Sequence, residues 1–543
     1  MSIITEIESE LKKIIKKAFP GVKAPDFRVE VSRRPEMCEY AANIHFLLSK
    51  ILKKKPQEIA SKIGEKFAKK IGSVEGEGVF LNIKLSDEFL EKSLQEVLQK
   101  QELFFNSNLL KNKKINVEFI SANPTGPLTL GNGRGGFSGD TLSRVFESAG
   151  AKVTREYYLN DVGRQVEKLA ESAAYRYLEL LGKKIDFPEY CYQGNYIVEL
   201  AREILVEHGD EYKDMAVLEI GSRIQEFAYQ RMLASIKGSV LKMGINFDNW
   251  FSEKSLYESG QVESALAKLS QLGLLYEADG ALWFKATQFG DDKDRVVKKT
   301  DEAYTYFASD IAYFINKLDA RGFDLALTFL GADHAGYVPR LLASLKPFGL
   351  DKKVKFPVFQ LVRLFSKGKE VKISKRQGTF VTIDELLDDI PLDVARYFFL
   401  TKAMETHLDF NLDLAKEESK KNPVYYIQYA YARISSLKKE AEKAGLNLKI
   451  TAISLDSAEE RNLAIEILRL SEIIESVAES YALQTLPEYA LKLADKFHYF
   501  YEKKRVIGEK ANIASSRLAL IEAARIALNK ILGIMGITSP ERM

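Results

Sequence analysis

The sequence predicts an α/β protein. Its central domain is expected to be a Rossmann-like, doubly wound parallel sheet, flanked by an α+β N-terminal domain and an all-α C-terminal bundle. Short β-branched and aromatic segments alternate with helical patterns from about residue 113 to 400, a glycine-rich loop follows the first of them, and helical periodicity dominates after residue 401. Such alternation favours parallel strands joined by right-handed crossovers. We expect three domains, at residues 1–108, 109–400 and 401–543.

The composition is that of a soluble globular protein. The 543 residues are 46% hydrophobic and 29% charged, with a formal net charge of +3. This small charge gives no global signal for nucleic acid, so a nucleic-acid surface would have to be a local patch. Two cysteines, Cys38 and Cys191, are too few for a disulfide framework, and we expect no structural zinc and no metal site.

The sequence offers no membrane segment or signal peptide. No stretch reaches the roughly 18 apolar residues of a membrane span. The N-terminus has the pattern of an amphipathic helix and lacks a continuous apolar core and a cleavage site. We therefore expect a cytoplasmic protein with no membrane partner.

The N-terminal domain combines two helical patterns with alternating segments. The helices are expected at about 3–18 and 57–71, and the strands at Phe27–Val31 and Gly78–Lys84. Lysines are frequent between residues 53 and 70. Such a run is usually a solvated helix face, and contact with a phosphate backbone is the alternative.

The central domain begins with a strand, a glycine-rich loop and a helix. Val117 to Ile120 form the strand pattern, and helical spacing of apolar residues follows until Gly150, a typical C-cap glycine. The loop contains two prolines and then Gly131, Gly133, Gly135 and Gly136. This element can bring backbone N–H groups close to phosphates, although an ordinary βα connection would have the same glycines.

Further strands are expected at Lys152–Tyr158, Leu325–Leu330 and Val358–Phe365. Residues 165–285 are mostly helical and too long for one crossover, so we interpret them as an insertion. Ligands of a doubly wound sheet bind beyond the C-terminal ends of its strands, which is where the loop at 121–136 should lie.

A second motif is the basic loop Ser366–Gly378, which follows the last expected strand. It contains Lys372, Ser374 and Lys375. Lysines on a glycine-bordered loop can neutralise the charge that develops on leaving pyrophosphate, whereas the loop alone could be a solvated basic hairpin. The combination with the glycine-rich loop is more specific than either motif.

With these two motifs the chain resembles the arginyl-tRNA synthetases, which are class I enzymes. SANPTGPLTLGNGRG resembles the family's HIGH region and KISKR its KMSKS loop, and the resemblance covers essentially the whole chain. The other similar blocks are REYYLNDVGRQV (155–166), FDNWFSE (247–253), TQFGDDKDRVVKK (287–299), TYFASDIAY (305–313), GADHAGYVPR (331–340), NPVYYIQYAYARI (422–434) and SPERM (539–543).

The resemblance implies a two-step reaction. L-Arginine attacks the α-phosphate of ATP, bound with Mg²⁺, to give arginyl-adenylate, and the arginyl group then passes to the 3′-terminal adenosine of tRNA(Arg), with the 2′-hydroxyl as first acceptor. The partners are thus tRNA(Arg), L-arginine and ATP. The family usually needs tRNA for activation and is usually monomeric, so we expect a monomer with a C-terminal anticodon-binding bundle.

A planar guanidinium with five donors needs carboxylates around it. Tyr306 and Asp310 lie four apart in a helical pattern and would share one face, with a solvent-facing polar pair as the alternative. By resemblance, Glu118, Ser121 and Asn123 also contact arginine or its adenylate.

The resemblance gives the ATP site a catalytic set and a binding set. The catalytic set is Thr129, Asn132, Lys372 and Lys375, and the nucleotide-binding set is Gly131, Gly133, Ser374 and His334. A lone histidine is more often structural, so that alternative stays open for His334. Thr129 and Asn132 stand where the HIGH region has histidines, which predicts altered ATP affinity or pH dependence.

In the C-terminal domain, aromatic residues cluster with polar ones. By resemblance and chemistry, Tyr425 and Tyr429 could stack on anticodon bases while Gln428 and Arg433 bind their edges. Filling of the bundle core is the alternative for at least half of the tyrosines in this segment. Two rival functions remain. One is a catalytically silent tRNA-binding paralogue, which the lost histidines suggest, and the other is a different adenylate-forming ligase of the same superfamily.

Overall fold

The computed structural model describes residues 2–34, 37–371, 382–446 and 453–543. The chain forms two compact units. The terminal unit comprises Met1–Lys111, Ser148–Gly150 and Glu418–Met543, and the central unit comprises Asn112–Glu147 and Ala151–Glu417. Lys372, Ser374 and Lys375 of the basic loop lie outside the described residues.

The N-terminal part of the terminal unit is a four-stranded antiparallel sheet with helices. Its elements are α1 Ile3–Ala18, β1 Val29–Val31, β2 Tyr40–Ala42, α2 Ile44–Leu52, α3 Pro56–Lys66, β3 Gly72–Glu77, β4 Phe80–Leu85 and α4 Asp87–Lys100. The strand order is β1-β2-β4-β3. Helix α1 starts where the Ser2 hydroxyl accepts from Thr5 N, and it buries Ile7, Leu11 and Ile15.

The central unit contains a parallel sheet and several smaller sheets. Its strands are β5 Lys114–Glu118, β6 Lys152–Leu159, β7 Asn249–Ser252, β8 Leu275–Ala278, β9 Ala281–Phe284, β10 Arg295–Lys298, β11 Leu325–Thr328, β12 Leu330–Gly331, β13 Val354–Lys355, β14 Val358–Phe359, β15 Val362–Ser366, β16 Lys369–Val371 and β17 Leu408–Asn411. Its helices are α5 Leu130–Ser148, α6 Arg164–Leu180, α7 Asn195–His208, α8 Val217–Lys242, α9 Lys254–Glu258, α10 Gln261–Gln271, α11 Tyr306–Ile315, α12 Val338–Leu345, α13 Ile383–Asp389, α14 Leu392–Phe399 and α15 Leu412–Ala415.

The main sheet confirms the predicted doubly wound α/β class. Its five strands have the order β13-β11-β5-β6-β7, and all four neighbouring pairs are parallel. The chain passes from β5 outwards in one direction to β6 and β7, and later in the other direction to β11 and β13. Ligands of such sheets bind where the direction reverses, next to the C-terminal end of β5.

The segment at 165–285 is mostly helical, as expected, but it also contains strands. Helices α6, α7 and α8 share a core that includes Leu169, Tyr177 and Ile204. The chain then returns to the main sheet as β7, and β8 to β10 form an antiparallel sheet. Strands β8 and β9 are joined at Asp279-Gly280, where φ is +52° and +71°. This Asp-Gly pair is a strong hairpin signal, which the sequence analysis did not use.

The expected boundary at residue 400 also differs from the structure. Strand β17 pairs in parallel with β15, so Leu408–Asn411 completes a sheet of the central unit. The central unit accordingly extends to Glu417. Helical periodicity could not reveal this, because the strand is only four residues long.

The C-terminal part of the terminal unit is helical, as predicted. Its helices are α16 Pro423–Lys443, α17 Ala458–Leu468, α18 Leu470–Ser480, α19 Thr485–Lys503 and α20 Ala511–Met535. Helix α20 packs against α4 as well as its bundle neighbours, and Arg461 of α17 donates to Glu39 Oε1 and the Leu85 carbonyl, both at 2.8 Å. These contacts join both chain ends in one unit. Along the described ranges, we find no helix with the length and apolar character of a membrane span.

Glu472 of α18 provides a test of this junction. Its Oε1 accepts from the Tyr40 hydroxyl at 2.6 Å, and its Oε2 has no hydrogen-bond partner among the described residues. Burial raises the pKa of Glu472 to about 7. A raised folded-state pKa gives stability that is complete below pH 4.5, the ordinary value, and that is lost as pH rises through about 7.

We expect Glu472→Gln to raise the free energy of unfolding of the terminal unit at pH 8, by about 1–3 kcal/mol, and to change it little near pH 5. Thermal melts at both pH values measure this. Glu479→Gln, at an exposed position of the same helix, is the control. Equal stabilisation at both pH values would contradict the expectation.

Candidate active site

The N-terminus of α5 is closed by a reciprocal pair of side chains. The Thr129 backbone N–H and hydroxyl donate to Asn132 Oδ1 at 2.9 and 2.8 Å, and Asn132 N–H donates to the Thr129 hydroxyl at 3.3 Å. This is the geometry of a capping box. The Thr129 hydroxyl hydrogen is therefore engaged by Asn132, while the Asn132 amide nitrogen makes no described hydrogen bond inside this pair.

Residues after the basic loop fasten this helix start. Thr129 forms a bridge with Thr382, and Ile383 N–H donates to the Leu128 carbonyl at 2.9 Å. A Cβ on Gly133 would lie 2.6 Å from Ile383 Cδ1. The structure thus corrects the expectation that Gly133 borders a nucleotide, because its missing side chain makes room for Ile383. Gly131 is half-buried and has no comparably close neighbour.

The loop between β5 and α5 starts in a strained conformation. Ile120 and Ser121 have φ values of +66° and +39°, which non-glycine residues rarely adopt. The Ser121 hydroxyl accepts from Tyr158 N–H at 3.1 Å. Strain of this kind is kept only where neighbouring contacts fix the backbone, and such sites are often functional.

Buried charges join the sheet to α11. This ionic cluster consists of Glu118 on β5, Glu156 on β6, and Lys317 and Arg321, which follow α11. Lys317 Nζ, with no exposed surface, lies 2.5 Å from Glu118 Oε2 and 3.7 Å from Glu156 Oε1, and Arg321 also pairs with Glu156. The Lys317 and Arg321 cations lower the pKa of Glu156 against the opposing effect of burial.

Glu118 is therefore not placed as the sequence predicted. It is 6% exposed, it accepts from Lys317 and from the Thr328 hydroxyl at 3.1 Å, and it does not line the neighbouring cavity. Its carboxylate already has a cation, so the structure gives it the position of a support for the sheet and α11.

A cavity of about 520 Å³ opens beside α11 and brings three predicted residues together. It is lined by Tyr158, Asn160, Glu253, Arg295, Val296, Thr305, Tyr306, Phe307, Ser309, Asp310, His334, Tyr337 and Arg340. Tyr306, Asp310 and His334 thus line the same cavity. Tyr306 is 54% exposed at the mouth, and His334 is also exposed, in the 3-10 helix Ala332–Tyr337.

Two carboxylates line this cavity together with Arg295 and Arg340, and the Arg340 charge offsets part of the rise in the pKa of Asp310. Asp310 accepts from the Tyr337 hydroxyl at 2.5 Å, and Glu253 accepts from the Ser309 hydroxyl at 2.8 Å. Neither forms an ion pair with a described residue. Burial is the main cause that raises the pKa of both, to about 7 for Asp310, and for Asp310 the nearby Glu253 charge adds to the increase. A bound cation would reverse these shifts.

Asn123 is not among the residues that line the cavity, but it contacts Asn160, which is. The Asn160 amide, with its nitrogen towards the carboxylate, donates to Glu253 Oε2 at 2.8 Å and lies 3.1 Å from the Asn123 amide. Ser121 is likewise separated from the cavity by one residue, because it accepts a hydrogen bond from Tyr158, which lines the cavity. The loop that follows β5 therefore borders the cavity edge and does not line it.

Glu253 and Tyr337 were missed by the sequence reasoning. Both stand inside the similar blocks, in FDNWFSE and GADHAGYVPR, but no spacing rule pairs them with Asp310. A glutamate that follows the aromatic pair Trp250-Phe251 of the short strand β7 by two residues was the available signal for Glu253.

The predicted tRNA-contacting residues lie on α16 with different exposures. Tyr429 is exposed and stacks on His498 with ring centroids 5.7 Å apart, and Tyr425 is half-buried. Arg433 donates to the Tyr501 hydroxyl. Gln428 is buried and donates to the Thr538 carbonyl at 3.0 Å, so the expectation that it binds a base edge is corrected.

Within the described ranges, no three His, Cys, Asp or Glu side chains are grouped as a metal ion would require. The site is instead characterised by a helix N-terminus and a cavity with two carboxylates that form no ion pair with a described residue.

Comparisons with known proteins match three successive parts of the chain to tRNA synthetase domains. Residues 5–85 match the family described as arginyl tRNA synthetase N terminal domain, residues 93–405 the class I (R) tRNA synthetase catalytic domain, and residues 427–543 the DALR anticodon binding domain. An arginine–tRNA ligase of Carboxydothermus hydrogenoformans is 42% identical over 95% of this chain and 94% of its own. One from Staphylococcus epidermidis is 38% identical over the full length of both. The solved Thermus thermophilus arginyl-tRNA synthetase has the same fold, with a TM-score of 0.78 and 22% identity, over 99% of this chain and all of its own.

We expect Lys317→Met to lower the free energy of unfolding by about 3–5 kcal/mol, because it leaves the buried Glu118 and Glu156 carboxylates without that cation. Urea denaturation measures the change. Lys268→Met is the matched control, since Lys268 forms an exposed pair with Asp319 at 3.4 Å, and it should cost about 0.5 kcal/mol or less. Equal stability of the two variants would contradict the conclusion that the ionic cluster stabilises the central unit.

Proposed function

The chain belongs to the arginyl-tRNA synthetases, and from this premise we propose how its residues activate L-arginine and transfer it to tRNA. It is a class I aminoacyl-tRNA synthetase with arginine–tRNA ligase activity. The proposal concerns the roles of individual residues, the substrate complex with Mg²⁺ and ATP, and the surface that binds tRNA.

The arginine side chain occupies the cavity beside α11. The observation that carries this assignment is the pair of carboxylates, Asp310 and Glu253, which have raised pKa values and form no ion pair with a described residue in a half-enclosed site. A guanidinium offers five N–H donors in one plane and can satisfy both carboxylates together. Tyr306 covers the mouth with its ring, and Tyr337 holds Asp310 in place.

The other end of the amino acid lies towards the loop after β5. Asn123 is connected with Glu253 through Asn160, so it is suitably placed for the α-amino group. Ser121 is the next polar residue along the same edge. Glu118 acts as a positioning residue for both β5 and α11, through Lys317.

Bound as Mg-ATP, the nucleotide lies at the N-terminus of α5. The helix dipole and free N–H groups favour phosphate there, and Gly131 leaves space beside the backbone. Asn132 donates from its amide nitrogen, while Thr129 orients Asn132 through the capping pair. This geometry supports a working site without the two histidines, and no observation favours a catalytically silent paralogue.

The basic loop supplies the remaining cations. Lys372 and Lys375, with Ser374, contact the β- and γ-phosphates and neutralise the leaving pyrophosphate. His334, exposed at the cavity, approaches the adenylate.

The two chemical steps then follow from the positions of arginine, ATP and tRNA. An arginine carboxylate oxygen attacks the α-phosphorus, the bond to the bridging oxygen breaks, and pyrophosphate leaves with its electron pair. In the second step the 2′-hydroxyl of the terminal adenosine attacks the arginyl carbonyl, loses its proton, and AMP leaves. The chain's contribution is orientation and charge stabilisation.

tRNA(Arg) binds the terminal unit through α16. Tyr429 and Tyr425 stack on bases and Arg433 contacts their edges or phosphates, whereas Gln428 anchors the segment around Thr538. The enzyme works as a monomer in the cytoplasm, as is usual in the family.

The exchange of pyrophosphate into ATP tests the function. We expect exchange that depends on arginine and on tRNA, and we expect Asp310→Asn to reduce kcat/KM for arginine about 100-fold, because a buried charge partner is removed. Asp319→Asn, in the exposed pair just after the same helix, should stay near the parent. Exchange at background level in the parent protein would refute the proposed activity.

The pH dependence of arginine binding tests the role of Asp310 separately. Its pKa is about 7, and the guanidinium binds the ionised carboxylate. KM for arginine should therefore fall as pH rises from 6 to 8, by up to about tenfold per pH unit below the pKa. An arginine KM that is constant or rises over this range would exclude Asp310 as the titrating contact.

A further inference from the structure

The loop between β5 and α5 has to be held from outside, because it forms no regular structure between Ser121 and Thr129. Its first residues are strained, and Ser121 and Asn123 are proposed to face arginine. Any loosening of this loop would spread those side chains over several positions. The neighbours that bind its backbone are thus of functional interest.

Both ends of the loop are fixed by the sheet and by α5. The buried Tyr157 hydroxyl of β6 donates to the Ala122 carbonyl at 2.8 Å. At the other end, the capping pair and the bridge to Thr382 fix Thr129. Between these points Thr125 N–H donates to the Asn123 carbonyl at 2.7 Å, so the positions of Thr125 and Asn123 are coupled.

A tyrosine from the helical segment α6–α8 binds the middle of the loop. The Tyr196 hydroxyl, in the first turn of α7, donates to the Thr125 carbonyl at 2.8 Å. Its ring lies against Gly126, where a Cβ would be 3.1 Å from the hydroxyl oxygen. Burial raises the pKa of Tyr196, so the phenol stays a hydrogen-bond donor.

Tyr196 is itself held by a rigid neighbourhood. Its ring packs against the core that α6, α7 and α8 share. A Cβ on Gly194 would lie 2.3 Å from the ring, so this glycine leaves the space that the side chain needs. The hydroxyl is therefore presented to the loop from a fixed point of the helical segment.

We propose that Tyr196 is a positioning residue for arginine, which acts by fixing the Thr125 carbonyl and, through it, Asn123. This inference rests on the proposed function. If the bond is lost, the competent loop conformation is only partly populated, and the apparent affinity for arginine falls by that fraction. Turnover at saturating arginine is unaffected, because the bound complex contains the competent loop.

The test compares Tyr196→Phe with Tyr177→Phe in the pyrophosphate exchange assay with tRNA. Tyr177 is a control from the same core, away from the loop, because its hydroxyl donates to the Gly209 carbonyl at the same 2.8 Å and also accepts from Tyr212 N–H at 3.3 Å. We expect Tyr196→Phe to raise KM for arginine about fivefold, as for one lost neutral hydrogen bond. Its kcat and its KM for ATP should stay unchanged, as should all three parameters of Tyr177→Phe.

Gly126→Ala is the second variant and keeps the Tyr196 hydroxyl. The added methyl group must push the ring or the loop, so KM for arginine should rise here too, with kcat unchanged. If Tyr196→Phe does not fold, the KM of Gly126→Ala for arginine tests the role of Tyr196.

The outcomes separate the two levels of the proposal. Parent protein without arginine-dependent exchange would refute the proposed function. Parent-like KM values in Tyr196→Phe, or equal changes in both tyrosine variants, would overturn the role of Tyr196 and leave the function intact. A parallel rise of KM for arginine and for ATP would indicate a general structural role and also overturn it.

Discussion

The buried ionic cluster is the constraint on which the central unit depends. Glu118 and Glu156 occupy registered positions on adjacent parallel strands, and two like charges cannot stay buried there without cations. Lys317 and Arg321 supply them from the turn that follows α11. This requirement fixes the position of α11 against the sheet. Asp310 lies two helical turns before Lys317, and the position of α11 therefore places Asp310 in the cavity.

The buried carboxylates of the central unit are of two kinds. Those with an ion-pair partner support the fold, and those without one lie in the candidate active site. The ionic cluster compensates its charge internally, and the Lys317 and Arg321 cations keep the pKa of Glu156 low. Asp310 and Glu253, in the neighbouring cavity, form no ion pair with a described residue and have raised pKa values. Under the proposed function, the energetic cost of these two carboxylates is removed when a cationic substrate binds beside them.

Much of the fold could be predicted from local sequence, because periodicity and motif order depend on near neighbours. Alternating strands and helices indicated the parallel sheet, and the similar blocks indicated the family. The partners of single side chains could not be predicted in this way. Glu118 was expected at the substrate, but its partner Lys317 is 199 residues away. Gln428 was expected at the surface, and Thr538, 110 residues later, shows that it faces inwards.

The shared unit of the two chain ends has a consequence for synthesis on the ribosome. Residues 1–111 are made first, but α4 and Tyr40 of β2 meet their C-terminal partners on α17, α18 and α20 only after the whole central unit has been translated. At ordinary rates of elongation the N-terminal part waits roughly 20–80 s for them. During that interval the apolar surface of α4 is exposed on the nascent chain. The order of translation therefore makes the central unit the first that can be completed and the terminal unit the last.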